Sequence, residues 1–267
     1  MSKKHTKEIK GHKPQLHKIK ETPQLPKDTK IFQIGFNRCA TQSIANALQQ
    51  HKIHTIHHNW KSSKICYTNY LAIVMQQNFT HPSQDILYGD INHYQAFLDI
   101  EYIYEDNHLE FYSHFQDFDK QYPNSIFIMN IRPVKDWIFS RMKLGKLPNA
   151  QPYYKDINDS KIKNWIQHYF EHSIKVRDYF IRDHPLKKNK LLIFSLGHSK
   201  LQDLIQQIEK ISSIPIHKPS KPIEEKIDFI QSMEINSNEH KLSPSIISYI
   251  EELTQKHADP SQLSWWK

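Results

Sequence analysis

The residues with the clearest capacity for chemistry run from Gly35 to Ser43, Gly-Phe-Asn-Arg-Cys-Ala-Thr-Gln-Ser. They follow the apolar run Ile31 to Ile34, which reads as a buried strand. They lead into residues 41–50, where Ile44, Ala47 and Leu48 share one helical face. A loop that opens into a helix N-terminus offers free N–H groups and the positive end of the helix dipole, so its natural ligand is an anion. Arg38 places a charge inside this loop, and Asn37, Thr41, Gln42 and Ser43 add hydrogen-bonding groups. The spacing departs from the pattern G-x-x-x-x-G-K-[ST]. Ala40 stands at the second glycine, Thr41 at the lysine and Gln42 at the magnesium-binding hydroxyl. ATP or GTP hydrolysis is therefore not expected. Cys39 invites a phosphatase reading, but Ala45 stands where the arginine of such a loop would be. A redox thiol at a helix N-terminus stays open, ranked below a packed or hydrogen-bonding Cys39.

A second chemical pattern lies at Ser125-Ile-Phe-Ile-Met-Asn-Ile131, the strongest strand signal in the chain. Arg132 follows it, and Pro133 sits at the expected first helical position. Val134, Trp137, Ile138 and Arg141 share a face of the helix that follows, which also carries Ser140. A guanidinium at a strand's C-terminal edge can grip a phosphate through two nitrogens, with a hydroxyl completing the cage. On residue types alone, Arg132 paired with a carboxylate and Ser140 as an ordinary helix residue is an equal reading.

The positioning elements alternate between strand and helix. Further strands are expected at Ile53 to Ile56, Phe97 to Ile100 and Leu191 to Phe194. Helices are expected over residues 62–80, 109–122 and 161–181, in the segment of Leu201, Leu204, Ile205 and Ile208, and after Ser243-Pro244. This order implies an α/β fold, a mostly parallel sheet with helices on both faces. The 267 residues suit one domain over 29–267, preceded by a tail over 1–28.

That tail holds much of the net charge of +8: residues 1–30 carry nine lysines against three acidic residues. It reads as a disordered solubilising segment, with contact to nucleic acid or an anionic membrane surface the weaker alternative. Two cysteines, Cys39 and Cys66, exclude a disulfide framework, and the charged start and short apolar runs point to a cytoplasmic protein without a signal peptide or membrane span. Among the 18 histidines the densest group is His54, His57 and His58, with no Cys or carboxylate at zinc-ligand spacing, so no metal is expected.

Both motifs resemble the sulfotransferase superfamily, whose loop has the form Lys-Ser/Cys-Gly-Thr-Thr and grips a 5′-phosphosulfate without a metal. By that resemblance Arg38 takes the lysine's place, Cys39 the Ser/Cys, Ala40 the glycine, and Thr41 and Gln42 the two threonines. Arg132 and Ser140 match the family's 3′-phosphate-binding arginine and serine. The likeness extends over roughly residues 30 to 225. It implies a P-loop-like three-layer fold and transfer of a sulfuryl group from 3′-phosphoadenosine 5′-phosphosulfate to a hydroxyl or amine, leaving 3′,5′-adenosine bisphosphate. The two phosphate-binding motifs are expected to form two separated anion pockets, one at each end of the nucleotide. The family's base lies between the motifs, where Asp99 is the first candidate and His58 the second. Lys218 and Lys221 could close over the 3′-phosphate, although solvated loop lysines fit as well. Trp60, Tyr67, Tyr70, Tyr102 and Tyr104 could line an acceptor pocket or simply pack. Arg38, Ala40 and Gln42 depart from the family pattern, which keeps open a catalytically impaired cofactor-binding protein. A small-molecule P-loop kinase is the remaining alternative. Acceptor and oligomeric state are not legible.

Overall fold

The computed structural model describes residues 25–26, 28–61, 68–82, 85–104, 107–148, 150–216 and 242–257. Strands β1 (Ile31–Gln33), β2 (Thr55–His57), β5 (Ala96–Leu98), β8 (Ile126–Ile131) and β9 (Leu191–Ser195) pair in parallel in the order β2-β5-β1-β8-β9. Two short antiparallel strands, β3 (Asn59–Lys61) and β4 (Thr68–Tyr70), extend the β2 edge, and β6 (Glu101–Tyr104) pairs with β7 (Asn107–Glu110) as a separate hairpin.

Alternation along the strands builds two cores. Ile31, Ile126 and Ile128 face one side with Ile44 and Leu48 of α1 (Thr41–Gln50) and Leu204 and Ile208 of α6 (Leu201–Ser212). Phe32, Phe127 and Met129 face the other. There they meet α2 (Leu71–Thr80), α3 (Phe115–Gln121), α4 (Val134–Gly145), α5 (Asp159–Arg177) and α7 (Pro244–His257). The expected three-layer α/β arrangement is therefore observed. Strands β1, β5 and β8 are buried on both faces, which is why these segments are mostly apolar rather than alternating, broken only by the buried Gln33 and Asn130.

Several boundaries differ from the sequence reading. The second strand begins at Thr55; of the expected helix over 62–80, residues 62–67 lie outside the described residues, Thr68–Tyr70 pairs with β3, and the helix runs from Leu71. The expected single helix over 109–122 splits into the end of β7, a 3₁₀ turn over Phe111–His114 and α3. Its aromatic spacing mimicked one continuous helical face. Pro133 is the N-cap of α4 rather than its first helical residue. The helix expected to reach Ile181 leaves α geometry at Asp178 and continues as π turns to Asp183. Leu25, inside the segment read as tail, is buried in the core beneath α1 and accepts a hydrogen bond from Gln95.

Candidate active site

Four adjacent strands, β2, β5, β1 and β8, end along one edge of the sheet, and the residues that follow them meet there. His57 closes β2 with His58 after it, Asp99 follows β5, the loop 35–40 follows β1, and Arg132 follows β8. This edge of a parallel sheet is where ligands bind in doubly wound folds.

The loop after β1 is held from below by polar groups in the sheet. Asn130 is buried in β8, and its Nδ2 donates to the carbonyls of Phe36 at 2.9 Å and Cys39 at 2.8 Å. Its Oδ1 accepts from Gln33, whose own Oε1 accepts from the backbone N–H of Asp99. Gly35 passes so close to Asn130 that a Cβ there would collide with that residue's backbone and side chain. Trp137 and Tyr154 grip the loop from the other side. The indole N–H donates to the Asn37 carbonyl at 3.1 Å, and the Asn37 amide donates to the Tyr154 hydroxyl at 2.9 Å. Asn37 therefore holds the loop rather than reaching outward.

The loop ends in strained backbone. Arg38 (φ 62°) and Ala40 (φ 68°) are left-handed, as are His58 (φ 59°) and Asp99 (φ 55°). Four of the seven described non-glycine residues with positive φ thus sit at this edge, the distribution expected when strain is kept for function. Ala40 is the N-cap of α1 and caps no N–H with its side chain, and the first turn carries no acidic residue. The first-turn N–H groups of Thr41, Gln42 and Ser43 have no such acceptor and suit an anion. Because Ala40 has the geometry that glycine adopts freely, Ala40→Gly should stabilise the protein by about 1 kcal/mol, raising the thermal midpoint by roughly 2–4 °C. An unchanged or lower midpoint in a calorimetric scan would count against strain at this residue.

Arg38, Arg132 and Ser140 come together. Arg38 Nε donates to Ser140 Oγ at 3.1 Å, and Arg132 Nη1 donates to the Arg38 carbonyl at 3.4 Å. The two motifs expected to form two separated anion pockets are thus in direct contact, through the Arg38 side chain and its carbonyl. Tyr169 of α5 fixes the Arg132 backbone, donating to its carbonyl at 2.8 Å and accepting from its N–H at 3.2 Å. Among the described residues neither guanidinium is ion-paired with a carboxylate, whereas Arg141, Arg177 and Arg182 all are. Burial pushes the pKa of Arg38 down from its ordinary value, and the like charge of Arg132 acts in the same direction. Two half-buried cations with no directly paired carboxylate among the described residues form a site that an anion would stabilise.

Beside this cleft His58 Nδ1 lies 3.2 Å from Asp99 Oδ2, and His57 Nε2 lies 3.1 Å from Thr41 Oγ1 and 4.0 Å from the same Asp99 oxygen. His58 Nδ1 faces Asp99 Oδ2 at hydrogen-bond distance but off the ideal direction. Burial works to lower the pKa of His58, but the close carboxylate outweighs it and the net shift is upward. His57 moves down, since burial dominates there. The two sequence candidates for a base are thus neighbours, and His57 joins them.

Cys39 is fully buried, and burial pushes its thiol up to about 12, so it stays protonated near neutral pH and packs rather than reacts. Gln42 is exposed and bonds Asn46 within α1. Lys218 and Lys221 lie outside the described residues, as does Tyr67 and the side chains of Trp60 and Tyr104. Tyr70 and Tyr102 have their ring centroids 4.5 Å apart, and Tyr70 also contacts His58.

A second polar cluster lies on the β6–β7 hairpin, where Glu101 and Glu110 stand directly opposite each other. His108 Nε2 is 2.8 Å from Glu101 and 3.1 Å from Glu110, His168 is 2.8 Å from Glu110, and the buried Arg141 is 3.5 Å from Glu101. Burial would raise the Glu110 pKa, but the hydrogen bond from His168 and the charges of both histidines draw it down to about 2. Glu101, His108 and Glu110 are close enough to share an ion, so the histidines near a carboxylate were not confined to the group noted in the sequence. With Arg141 and two imidazoles supplying counter-charge, the cluster also balances by itself.

Fold and site together define an α/β protein with a strand–loop–helix carrying Arg38 and a strand–helix carrying Arg132 and Ser140 on one sheet edge. Residues 30–190, more than half of the chain, match the sulfotransferase domain. The chain belongs to the sulfotransferase family. No curated protein matches it at a significant level. The family match ends short of residue 225, the limit expected from the motifs. No helix among the described residues is long and apolar enough to cross a membrane.

Proposed function

We propose that this chain transfers a sulfuryl group from 3′-phosphoadenosine 5′-phosphosulfate to a hydroxyl or amine of an acceptor. The observation that carries the proposal is the adjacency of two guanidiniums with no ion-paired carboxylate among the described residues: Arg132 donates to the Arg38 carbonyl, and Arg38 donates to Ser140 Oγ. Residues of this kind fit a nucleotide with phosphates at two positions: Arg132 and Ser140 toward the 3′-phosphate, Arg38 and the α1 N-terminus toward the 5′ end. When bound, the donor supplies the sulfuryl group and departs as 3′,5′-adenosine bisphosphate.

The protein's part is positioning and charge. Arg38 and the first-turn N–H groups stabilise negative charge on the leaving phosphate, as fixed donors do in other group transfers. His58, with Nδ1 turned to Asp99, has Nε2 left to take the acceptor's proton, and Asp99 then stabilises the imidazolium. His58 must be neutral to act as a base, and its pKa is raised, so kcat should climb with pH through a value above that of an ordinary histidine. Asp99→Asn should move that limb to lower pH as well as reduce kcat. A limb that stays in place would exclude the pair as the base.

Mass spectrometry of a pooled acceptor mixture incubated with protein and donor tests the proposal. A product heavier by one sulfuryl group supports it. Tight nucleotide binding without any product would favour the cofactor-binding, inactive alternative that Ala40 and Gln42 keep open. Magnesium-dependent ATP binding that survives mutation of Arg132 would support the kinase reading instead.

A further inference from the structure

We infer that the acceptor is a neutral, hydroxyl-rich molecule, a saccharide, held in the cavity between α1 and β2. This inference rests on the sulfuryl-transfer reading above.

The cavity has a volume of about 430 Å³, within the range of small-molecule sites. Gln42 and Gln49, two helical turns apart on α1, line it together with Thr55 and His57 of β2, Asn59 and Tyr94. Ile56 is the single aliphatic residue in the lining, and no Asp, Glu, Lys or Arg contributes to it.

Three amides, a hydroxyl, an imidazole and a phenol present both donors and acceptors, which is the complement of a ring of hydroxyl groups. Some of this capacity is already used: Gln42 donates to Asn46, Gln49 makes a long contact with the Thr55 carbonyl, and Thr55 donates to Ile53. Each amide still has its second N–H or its carbonyl oxygen to offer, and Thr55 keeps acceptor lone pairs. An apolar acceptor such as a steroid would leave these groups unpaired on binding, and a charged acceptor would find no counter-charge in the lining. A saccharide meets neither penalty, and Tyr94 in the lining adds a phenol to the hydrogen-bonding set.

The cavity also reaches the chemistry. His57 lines it and touches Thr41, the first residue of α1, at 3.1 Å, and it approaches Asp99 at 4.0 Å. A hydroxyl at this end of the cavity lies beside the loop assigned to the 5′ end of the donor and beside the His58–Asp99 pair. In the transfer, the acceptor oxygen forms the new bond to sulfur, the bond from sulfur to the phosphate oxygen breaks with its electron pair leaving on that oxygen, and the acceptor proton passes to the base.

The test uses the full chain saturated with 3′,5′-adenosine bisphosphate and a panel of neutral mono- and disaccharides, read by saturation-transfer difference NMR. At least one saccharide should bind, and Gln49→Leu and Tyr94→Ala should each weaken it about tenfold with nucleotide affinity within twofold of the parent. The inference is overturned if no neutral saccharide binds while a phenolic, steroidal or anionic acceptor does, or if the two substitutions leave saccharide binding unchanged. Absence of nucleotide binding by the parent protein, seen before any saccharide is added, would remove the donor reading itself and this inference with it.

Discussion

Arg132→Ala weakens binding of 3′,5′-adenosine bisphosphate by about 100-fold and that of adenosine 5′-phosphate by less than about threefold. The magnitude follows from the surroundings of this guanidinium. Among the described residues it is ion-paired with no carboxylate, and its side chain donates a long bond to the Arg38 carbonyl. A phosphate bound there gains a charge-assisted contact that no carboxylate among the described residues is paired to contest, and removing one partner of such a pair costs about 2–5 kcal/mol. Tyr169 holds the backbone of residue 132 at both its N–H and its carbonyl, so the truncated side chain leaves the segment in place. Calorimetric titration of parent and variant with both nucleotides measures the selectivity. Equal losses for the two would mean that Arg132 does not read the 3′-phosphate.

Arg38→Ala lowers kcat by about 10²–10³, the usual loss when one donor to a developing oxyanion is removed, while affinity for 3′,5′-adenosine bisphosphate falls far less. Arg38→Lys should retain activity within about tenfold, because it keeps the charge and loses only the planar fork that reaches Ser140. Steady-state kinetics with the acceptor found in the pooled screen would check both. A kcat unchanged in Arg38→Ala, or a Lys variant as inactive as the Ala one, would move the charge-stabilising role away from this residue.

The parts of the site that could be read from the sequence were those built locally. A strand, a loop with an internal arginine and a helix are contiguous over residues 31–50, and a strand, an arginine and a helical serine are contiguous over 125–140. What holds them was invisible, because its partners are distant in the chain. Asn130 braces Phe36 and Cys39 from more than ninety residues away, and Tyr169 and Tyr154 reach the site from α5 and the segment before it. One signal was available: Asn130 interrupts an otherwise apolar strand that is buried along its whole length, and a buried amide needs partners. The short strands β3, β4, β6 and β7 were missed for a different reason. They sit at an edge or in a hairpin, rich in Asn, Tyr, His and Glu, without the mostly apolar run that marks the inner strands. Likewise, the αL backbone of Ala40 has no mark in the residue type, since alanine ordinarily favours helix.

The central claim is that Arg38, Arg132, Ser140 and the start of α1 form one cleft for an adenosine carrying two phosphates. Titrating the parent protein with 3′,5′-adenosine bisphosphate in a calorimeter, with adenosine 5′-phosphate as the comparison and no magnesium present, addresses it directly. The cleft predicts one site per chain and at least tenfold tighter binding of the bisphosphate. No binding, or equal affinity for both nucleotides, would contradict it.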